Sequence, residues 1–367
     1  MPSKKKIVFV LSGYGRVVRG AERLVQQLVL RLSDEFDIQV LGSGTDAPHA
    51  VALKMVPREH RATRWIQQTP VLGHASRLFQ LDPLNWEWMT SARAARNWLE
   101  KHPCDLLVPE GGRWGGRLGL WARKNKGIPF VDIAHGAMSR WETAAARCRP
   151  DAYVTPTRRM AEEMGRIVPG LHTEIIPCGV DLEHFSVSGP HETLPLQRPV
   201  VLAVGALEPL KRMDVLIRAL HDGGRGSLLM VGDGPLRREW TELGRSLLGE
   251  GRFLCRSASY EEMPPLYRSA DVLASASRSE AFGLVLLEAL ASGLPVVSQE
   301  DPWRREVLGE HAVWVEQEGV GAWVQGIERA LAAAVSGRAA RLDYVQRFHA
   351  ERMAERYRTL FRTLLTR

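Results

Sequence analysis

Short apolar runs that close in glycine or polar residues, each followed by a stretch of helical periodicity, recur along almost the whole chain. KIVFVL (6–11) leads through a glycine-containing loop into GAERLVQQLVLRL, and FDIQVLG, CDLLVP, IPFVDIAHG and DAYVTPT continue the pattern. Runs that are apolar throughout suit strands covered on both faces, and their alternation with helices is the sequence form of parallel βαβ units. The pattern breaks at SVSGPHETLPLQRP (186–199), aperiodic and proline-rich, which reads as a linker. It restarts with PVVLAVGAL, SLLMVGDGP, RFLCRS and DVLASAS. With 367 residues, two cores are the default. The expectation is an α/β protein of two Rossmann-like doubly wound domains facing across a cleft: 1–186, a linker 187–199, 200–345, and an amphipathic helix within 346–367 packing back on the first domain.

Ligands of open parallel sheets bind beyond the carboxyl ends of the strands, so the loops there carry the functional signal. In GYGRVVRGAER, Gly13, Gly15 and Gly20 allow close backbone approach, and a helix opening near Ala21 would offer N–H groups to an anion. The spacing is not G-x-G-x-x-G, and a plain tight turn explains the glycines equally well. In VGALEPLKRMD, Gly205 follows a strand, and Lys211 and Arg212 precede a helix expected from about Asp214, so cations and helix N–H groups would converge on a diphosphate. A surface pair is the alternative. Gly232 and Gly234 in VGDGPLR follow the next strand and fit either a turn or a nucleotide contact.

SEAFGLVLLEALASGLPVVSQ (279–299) is built to be buried, yet it carries two carboxylates. In one continuous helix Glu280 and Glu288 would stand about 12 Å apart along the axis, close to the span of the two ends of a nucleotide sugar. Glu288 interrupts an apolar face, where an ionised carboxylate needs hydrogen bonds, from ribose hydroxyls or from a structural partner. His135 follows an apolar run; it would hydrogen-bond a sugar or polarise a reacting centre, or be structural. PEGGRWGGRLGLW (109–121) reads as a glycine-rich loop, an acceptor platform with Arg113 and a stacking Trp114, or a loop whose tryptophan packs between domains.

Charge is uneven. Residues 1–190 hold 26 Lys and Arg against 19 Asp and Glu, whereas the rest holds 23 of each. That basic half suits an anionic membrane surface or an acidic acceptor, or is a solvated face. Nucleic acid is disfavoured, because aromatic residues are not interleaved with the basic ones. Four separated cysteines without a C-x-x-C fit a reduced compartment, and no window has the apolar length of a membrane span. There is no D-x-D.

Taken in order, IIPCGVDLEHF, VGALEPLKRMD, VGDGPLR and SRSEAFGLVLLEALASGLPVV resemble the family 4 retaining glycosyltransferases of GT-B fold, over nearly the whole chain. The resemblance implies transfer from a nucleoside diphosphate sugar to an acceptor hydroxyl, without metal or other cofactor. It implies catalytic roles for His135, Glu280 and Lys211. Donor contacts would come from Gly20, Gly205, Lys211, Arg212, Gly232, Glu280, Ala281, Phe282, Gly283, Leu284 and Glu288, with Glu280 on the sugar and Glu288 on the ribose. Arg19, where the family carries a Gly-Gly turn, joins Arg113 and Trp114 as acceptor contacts, and Ala206 stands where the family has an arginine. The implied partners are the nucleotide sugar and a carbohydrate or lipid-linked acceptor, in the cytoplasm or at the inner membrane face, in polysaccharide or glycolipid synthesis. A nucleotide-sugar epimerase, a sugar-phosphate synthase and a silent scaffold of the same fold are the competing readings.

Overall fold

A computed structural model of the chain describes residues 3–17, 19–58, 60, 82–135, 139–278, 280 and 282–366. It divides into two compact units, Met1–Pro177 with Met353–Arg367, and Cys178–Arg352.

In the first unit β1 (Lys6–Val10), β2 (Asp37–Gly42), β3 (Ala50–Ala52) and β4 (Leu106–Pro109) form a parallel sheet in the order β3-β2-β1-β4. A second parallel sheet runs β5 (Val131–Ile133), β6 (Ala152–Thr155), β7 (Thr173–Ile175), and a bridge between Leu107 and Phe130 joins it to β4. Strand order therefore reverses direction between β1 and β4. Helix Gly20–Leu32 buries Leu24, Val25, Leu28, Val29 and Leu32, one stripe of a 3.6-residue period. Helix Ala350–Leu365 buries Met353, Tyr357, Leu360, Phe361 and Leu364 in the same way. Its Phe361 ring meets Phe9 and Phe36 edge-on, both at 6.2 Å, and Arg362 grips Glu35 with bonds of 2.7 and 2.6 Å.

The glycine-rich stretch expected as a loop is instead helix Gly112–Lys126. Its glycines serve close packing: a Cβ on Gly119 would stand 2.2 Å from the Phe130 ring, one on Gly116 2.7 Å from Cys148 Sγ, and one on Gly115 2.7 Å from the Pro109 carbonyl oxygen. Helix propensity lost to glycine, about 1 kcal/mol per residue, is offset here by contacts that no larger residue permits.

The second unit holds one six-stranded sheet of β8 (Val200–Val204), β9 (Ser227–Val231), β10 (Phe253–Arg256), β11 (Val272–Ser275), β12 (Val296–Gln299) and β13 (Ala312–Val315). The order is β10-β9-β8-β11-β12-β13 and every pairing is parallel. Leu202, Leu229 and Leu273 face one hydrophobic cluster, while Val201, Leu228, Met230 and Val272 face the other. Each such side chain, taken fully out of water, contributes about 2 kcal/mol, which is why these strands read as unbroken apolar runs.

The stretch expected as a linker is a strap on this unit. His191 Nδ1 lies 2.7 Å from the Arg268 carbonyl oxygen, the Glu192 N–H donates to Ser269 Oγ at 2.6 Å, and Arg268 Nε donates to the Pro190 carbonyl at 2.8 Å. These bonds, with the Gln197 N–H donating to the Gly251 carbonyl at 2.8 Å, tie the stretch to this unit, and the chain changes units earlier, after Pro177.

Candidate functional site

In each unit, the loops at the reversal of strand order gather the ionisable groups. Adjacent strands send their connections to opposite faces there and leave a crevice between the loops.

In the second unit β8 and β11 flank the reversal. Gly205 follows β8 at φ 149°, and Gly232 follows β9 at φ 156°; a Cβ on Gly232 would fall 1.9 Å from the Gly205 carbonyl oxygen, so the two loops press together backbone to backbone. Past Gly205 the chain makes a 3₁₀ turn, Pro209–Lys211, and enters helix Met213–Asp222 through Arg212, held left-handed at φ 48°. Lys211 Nζ donates to Glu280 Oε1, and both side chains are mostly buried. The Arg278 N–H donates to the Leu210 carbonyl at 3.0 Å, which ties the loop after β11 to the loop after β8.

Glu280 does not share a helix with Glu288. Gly283, at φ 81°, caps helix Leu284–Ala291, which begins after Glu280, so the helical spacing expected for the two carboxylates does not apply. Glu288 Oε2 accepts from Tyr267 Oη at 2.7 Å. Burial first, and then the Glu288 carboxylate, holds the Tyr267 phenol well above its ordinary pKa, so it remains a donor. Phe282 is 3% exposed and packs edge-on against Phe348 at 5.9 Å, a core role; Leu284 is half-buried beside the same cluster, and Ala281 lies outside the described residues. Ala206 is exposed, and Arg278 reaches Glu318 at 3.2 Å.

Sequence reasoning missed an arginine here. Arg304, fully buried, donates to the Ser277 carbonyl at 2.8 Å and to Ser298 Oγ at 3.2 Å, with Asp301 Oδ2 at 3.8 Å. Burial pulls its pKa down, against Asp301 and Glu280, which favour the charge. It thus sits beneath the loop that carries Glu280. Within DPWRREVL nothing but its helical phase distinguishes it from Arg305.

In the first unit the loops after β1, β4 and β5 enclose a cavity of about 240 Å³. Among its lining residues are Glu22, Glu110, Asp132, His135 and Glu142, with Trp88 and Trp141 on the wall. His135 Nε2 stands 2.8 Å from Glu110 Oε1, the His135 backbone N–H donates to Glu142 Oε1 at 3.2 Å, and Tyr153 Oη donates to Glu142 Oε2 at 2.8 Å. Burial opposes a charge on His135, but Glu110, with Glu142 and Asp132, overrides it and raises the pKa from 6.5 to about 9. His135 is therefore an imidazolium at neutral pH, a donor and not a proton acceptor. Burial raises the carboxyls of Glu110 and Asp132, the latter well above its ordinary value with help from Glu142 and Glu110.

Arg19 stands exposed at the rim of this cavity. Gly20 opens helix Gly20–Leu32 with no neighbour within 4 Å of where a Cβ would sit. The Gly13 loop packs on Glu22: a Cβ on Gly13 would lie 2.1 Å from Glu22 Oε1, so a carboxylate occupies the place expected for an anion. Arg113 and Trp114 do not line the cavity; the Arg113 and Arg117 guanidinium groups lie over the Trp114 ring at 5.2 Å each. The carboxylates went unnoticed because up to 120 residues separate them, from Glu22 to Glu142. Asp132, a charge inside the apolar run IPFVDIAHG, was the available signal.

These raised pKa values fix the sign of a pH effect. Stability from the His135 pair is complete below pH 6.5 and is lost as pH rises to about 9, and the raised Glu110 and Asp132 act in the same direction. The first unit should lose roughly 1–3 kcal/mol across that window. Thermal unfolding followed against pH checks this, and His135→Asn should flatten the slope; a wild-type profile already flat from 6.5 to 9 contradicts the charged pair.

Residues 18–184 match the family described as Glycosyltransferase Family 4, and residues 190–345 match Glycosyl transferases group 1. A D-inositol 3-phosphate glycosyltransferase of Xylanimonas cellulosilytica is 32% identical over 268 residues, 62% of this chain and 63% of the relative. The chain spans about half to three fifths of the length of the curated relatives it matches. Among solved structures, sucrose-phosphate synthase of Thermosynechococcus elongatus superposes with a TM-score of 0.81 at 19% identity, over 99% of this chain and all of the other. Anabaena HepE in complex with UDP gives 0.71 at 17% identity, over 98% of this chain and all of that one. The fold is that of the GT-B glycosyltransferases.

Proposed function

Because the chain belongs to the family 4 glycosyltransferases, we propose that it moves a sugar from a nucleoside diphosphate sugar to an acceptor hydroxyl with retention of the anomeric configuration. The observation that carries this reading is the Lys211–Glu280 pair, set where the strand order reverses between β8 and β11. A cation joined to a carboxylate at that crevice offers one group to a diphosphate and the other to sugar hydroxyls. Arg212 and the start of helix Met213–Asp222 add positive potential beside Lys211, so the leaving diphosphate is met by protein charge without a metal. Glu288, positioned by Tyr267, takes the ribose hydroxyls.

In the reaction, the bond from the anomeric carbon to the diphosphate oxygen breaks while a bond to the acceptor oxygen forms on the same face. The acceptor's proton passes to the departing diphosphate oxygen. His135, charged at neutral pH, donates a hydrogen bond to a substrate hydroxyl and removes no proton. UDP in the HepE structures makes UDP-sugars the first donors to try. Among the described residues no helix is long and apolar enough to cross a membrane. The basic first half supports peripheral association with an anionic membrane and an envelope glycolipid or polysaccharide as product.

A thermal-shift screen against UDP-, GDP-, ADP- and TDP-sugars, with and without EDTA, tests the reading. One nucleotide class at a hundred times its Kd should stabilise the protein by about 2.7 kcal/mol, independently of EDTA, and Glu288→Gln should abolish the effect. If no sugar nucleotide shifts unfolding, the reading fails.

A further inference from the structure

The cavity of the first unit is acidic where a phosphate site would be basic. Two helices, Gly20–Leu32 and Gly112–Lys126, begin at its edge, and such N-termini are ordinarily places for anions. Here the chain's own carboxylates take those places: Glu22 lies in the first turn of one helix, and Glu110 directly precedes the opening of the other. Two of the cations that line it are committed, and Arg19 stands at its exposed rim. Arg58 donates its backbone N–H and guanidinium to the buried Glu87, at 2.7 and 2.8 Å, and His135 faces Glu110.

What remains on the inner wall are carboxyl oxygens. Glu22 Oε2 and Asp132 Oδ2 have no hydrogen-bond partner among the described residues, although Glu22 is 6% and Asp132 3% exposed. Buried oxygens of this kind are costly unless a ligand supplies donors. Opposite them the Trp88 and Trp141 rings meet edge-on at 5.8 Å. A Cβ on Gly111 would fall 3.1 Å from Trp88, so the backbone packs flush on that ring; the Arg140 guanidinium lies over the Trp141 ring at 4.1 Å, which leaves Trp88 as the ring for a ligand's C–H groups.

We propose, building on the transfer reading above, that this cavity is the acceptor subsite. It selects a polyhydroxylated ligand bearing an ammonium group, an amino sugar or an aminocyclitol, over one bearing a phosphate. The ammonium pairs with the Glu22 carboxylate; Asp132, whose carboxyl burial pushes towards the neutral form, joins Glu110 and Glu142 in hydrogen-bonding the hydroxyls, and the ring stacks on tryptophan. A phosphate would meet the Glu22 carboxylate and be repelled. The relatives named for D-inositol 3-phosphate thus differ from this chain in the acceptor charge their names imply.

The test compares one hexose ring in three charge states, D-glucosamine, D-glucose and D-glucose 6-phosphate, by calorimetry on the full chain without donor. Glucosamine should bind at least about tenfold more tightly than glucose, and glucose 6-phosphate more weakly than either. Glu22→Gln, near-isosteric and uncharged, should bring glucosamine towards glucose. Equal affinities, a preference for the phosphate, or no binding by any of the three overturns the proposal, and the wild-type ranking decides even if a variant misfolds. Sugar-nucleotide stabilisation is read separately. If it is present without an ammonium preference, this inference falls and the transfer reading stands; if it is absent while the preference holds, the transfer reading falls.

Discussion

Lys211→Met is expected to slow sugar transfer by about a hundredfold or more, because removing one preorganised charge from a leaving oxyanion costs roughly 10²–10³ in rate. Two effects combine at this position. The diphosphate loses its nearest cation, and Glu280 loses the partner that aims it. Lys211→Arg keeps the charge but not the compact ammonium, and should recover part of the rate. The assay is release of nucleoside diphosphate in the presence of acceptor, alongside an unfolding curve. Since both side chains of the pair are mostly buried, the unfolding curve separates lost stability from lost chemistry, and a variant that is well folded and fully active would remove Lys211 from the chemistry.

Arg304→Met is expected to destabilise the second unit by about 2–4 kcal/mol, since deleting one member of a buried charged network strands the groups it satisfied. Those groups are the Ser277 carbonyl and Ser298 Oγ. For a unit of this size that corresponds to a fall in Tm of about 5–15 °C. Arg304→Lys should restore only part, because an ammonium cannot bridge both bonds as the planar fork does. Equilibrium denaturation in urea would measure it. An unchanged midpoint for the methionine variant would mean that packing, and not the charge, holds this corner.

The βαβ alternation was legible because parallel strands covered on both faces must be apolar at every position, as in Val201, Leu202 and Ala203. The glutamate segment was legible because a carboxylate inside an apolar run demands a reason. What could not be read was contact at a distance. Glycine argues locally for a loop, yet Gly116 and Gly119 sit in a helix because Cys148 and Phe130 leave no room for a side chain. The linker reading failed similarly, for the partners of Pro190, His191 and Glu192 lie some 77 residues ahead in the chain. The separation of Glu280 and Glu288 was not legible, because the left-handed turn at Gly283 between them is invisible in a spacing count.

The first unit is assembled from two pieces of chain, Met1–Pro177 and Met353–Arg367. On the ribosome, its sheet is complete long before Tyr357 and Phe361 are made, and until then the Phe9 and Phe36 rings that receive Phe361 are uncovered. The inserted unit has no such wait, because all of its strands lie within one continuous stretch. The later-synthesised half can therefore reach its native state first, and the earlier half closes only after translation has passed it. Nascent chains halted before Met353 should present a sticky, protease-sensitive leading half beside a resistant trailing one.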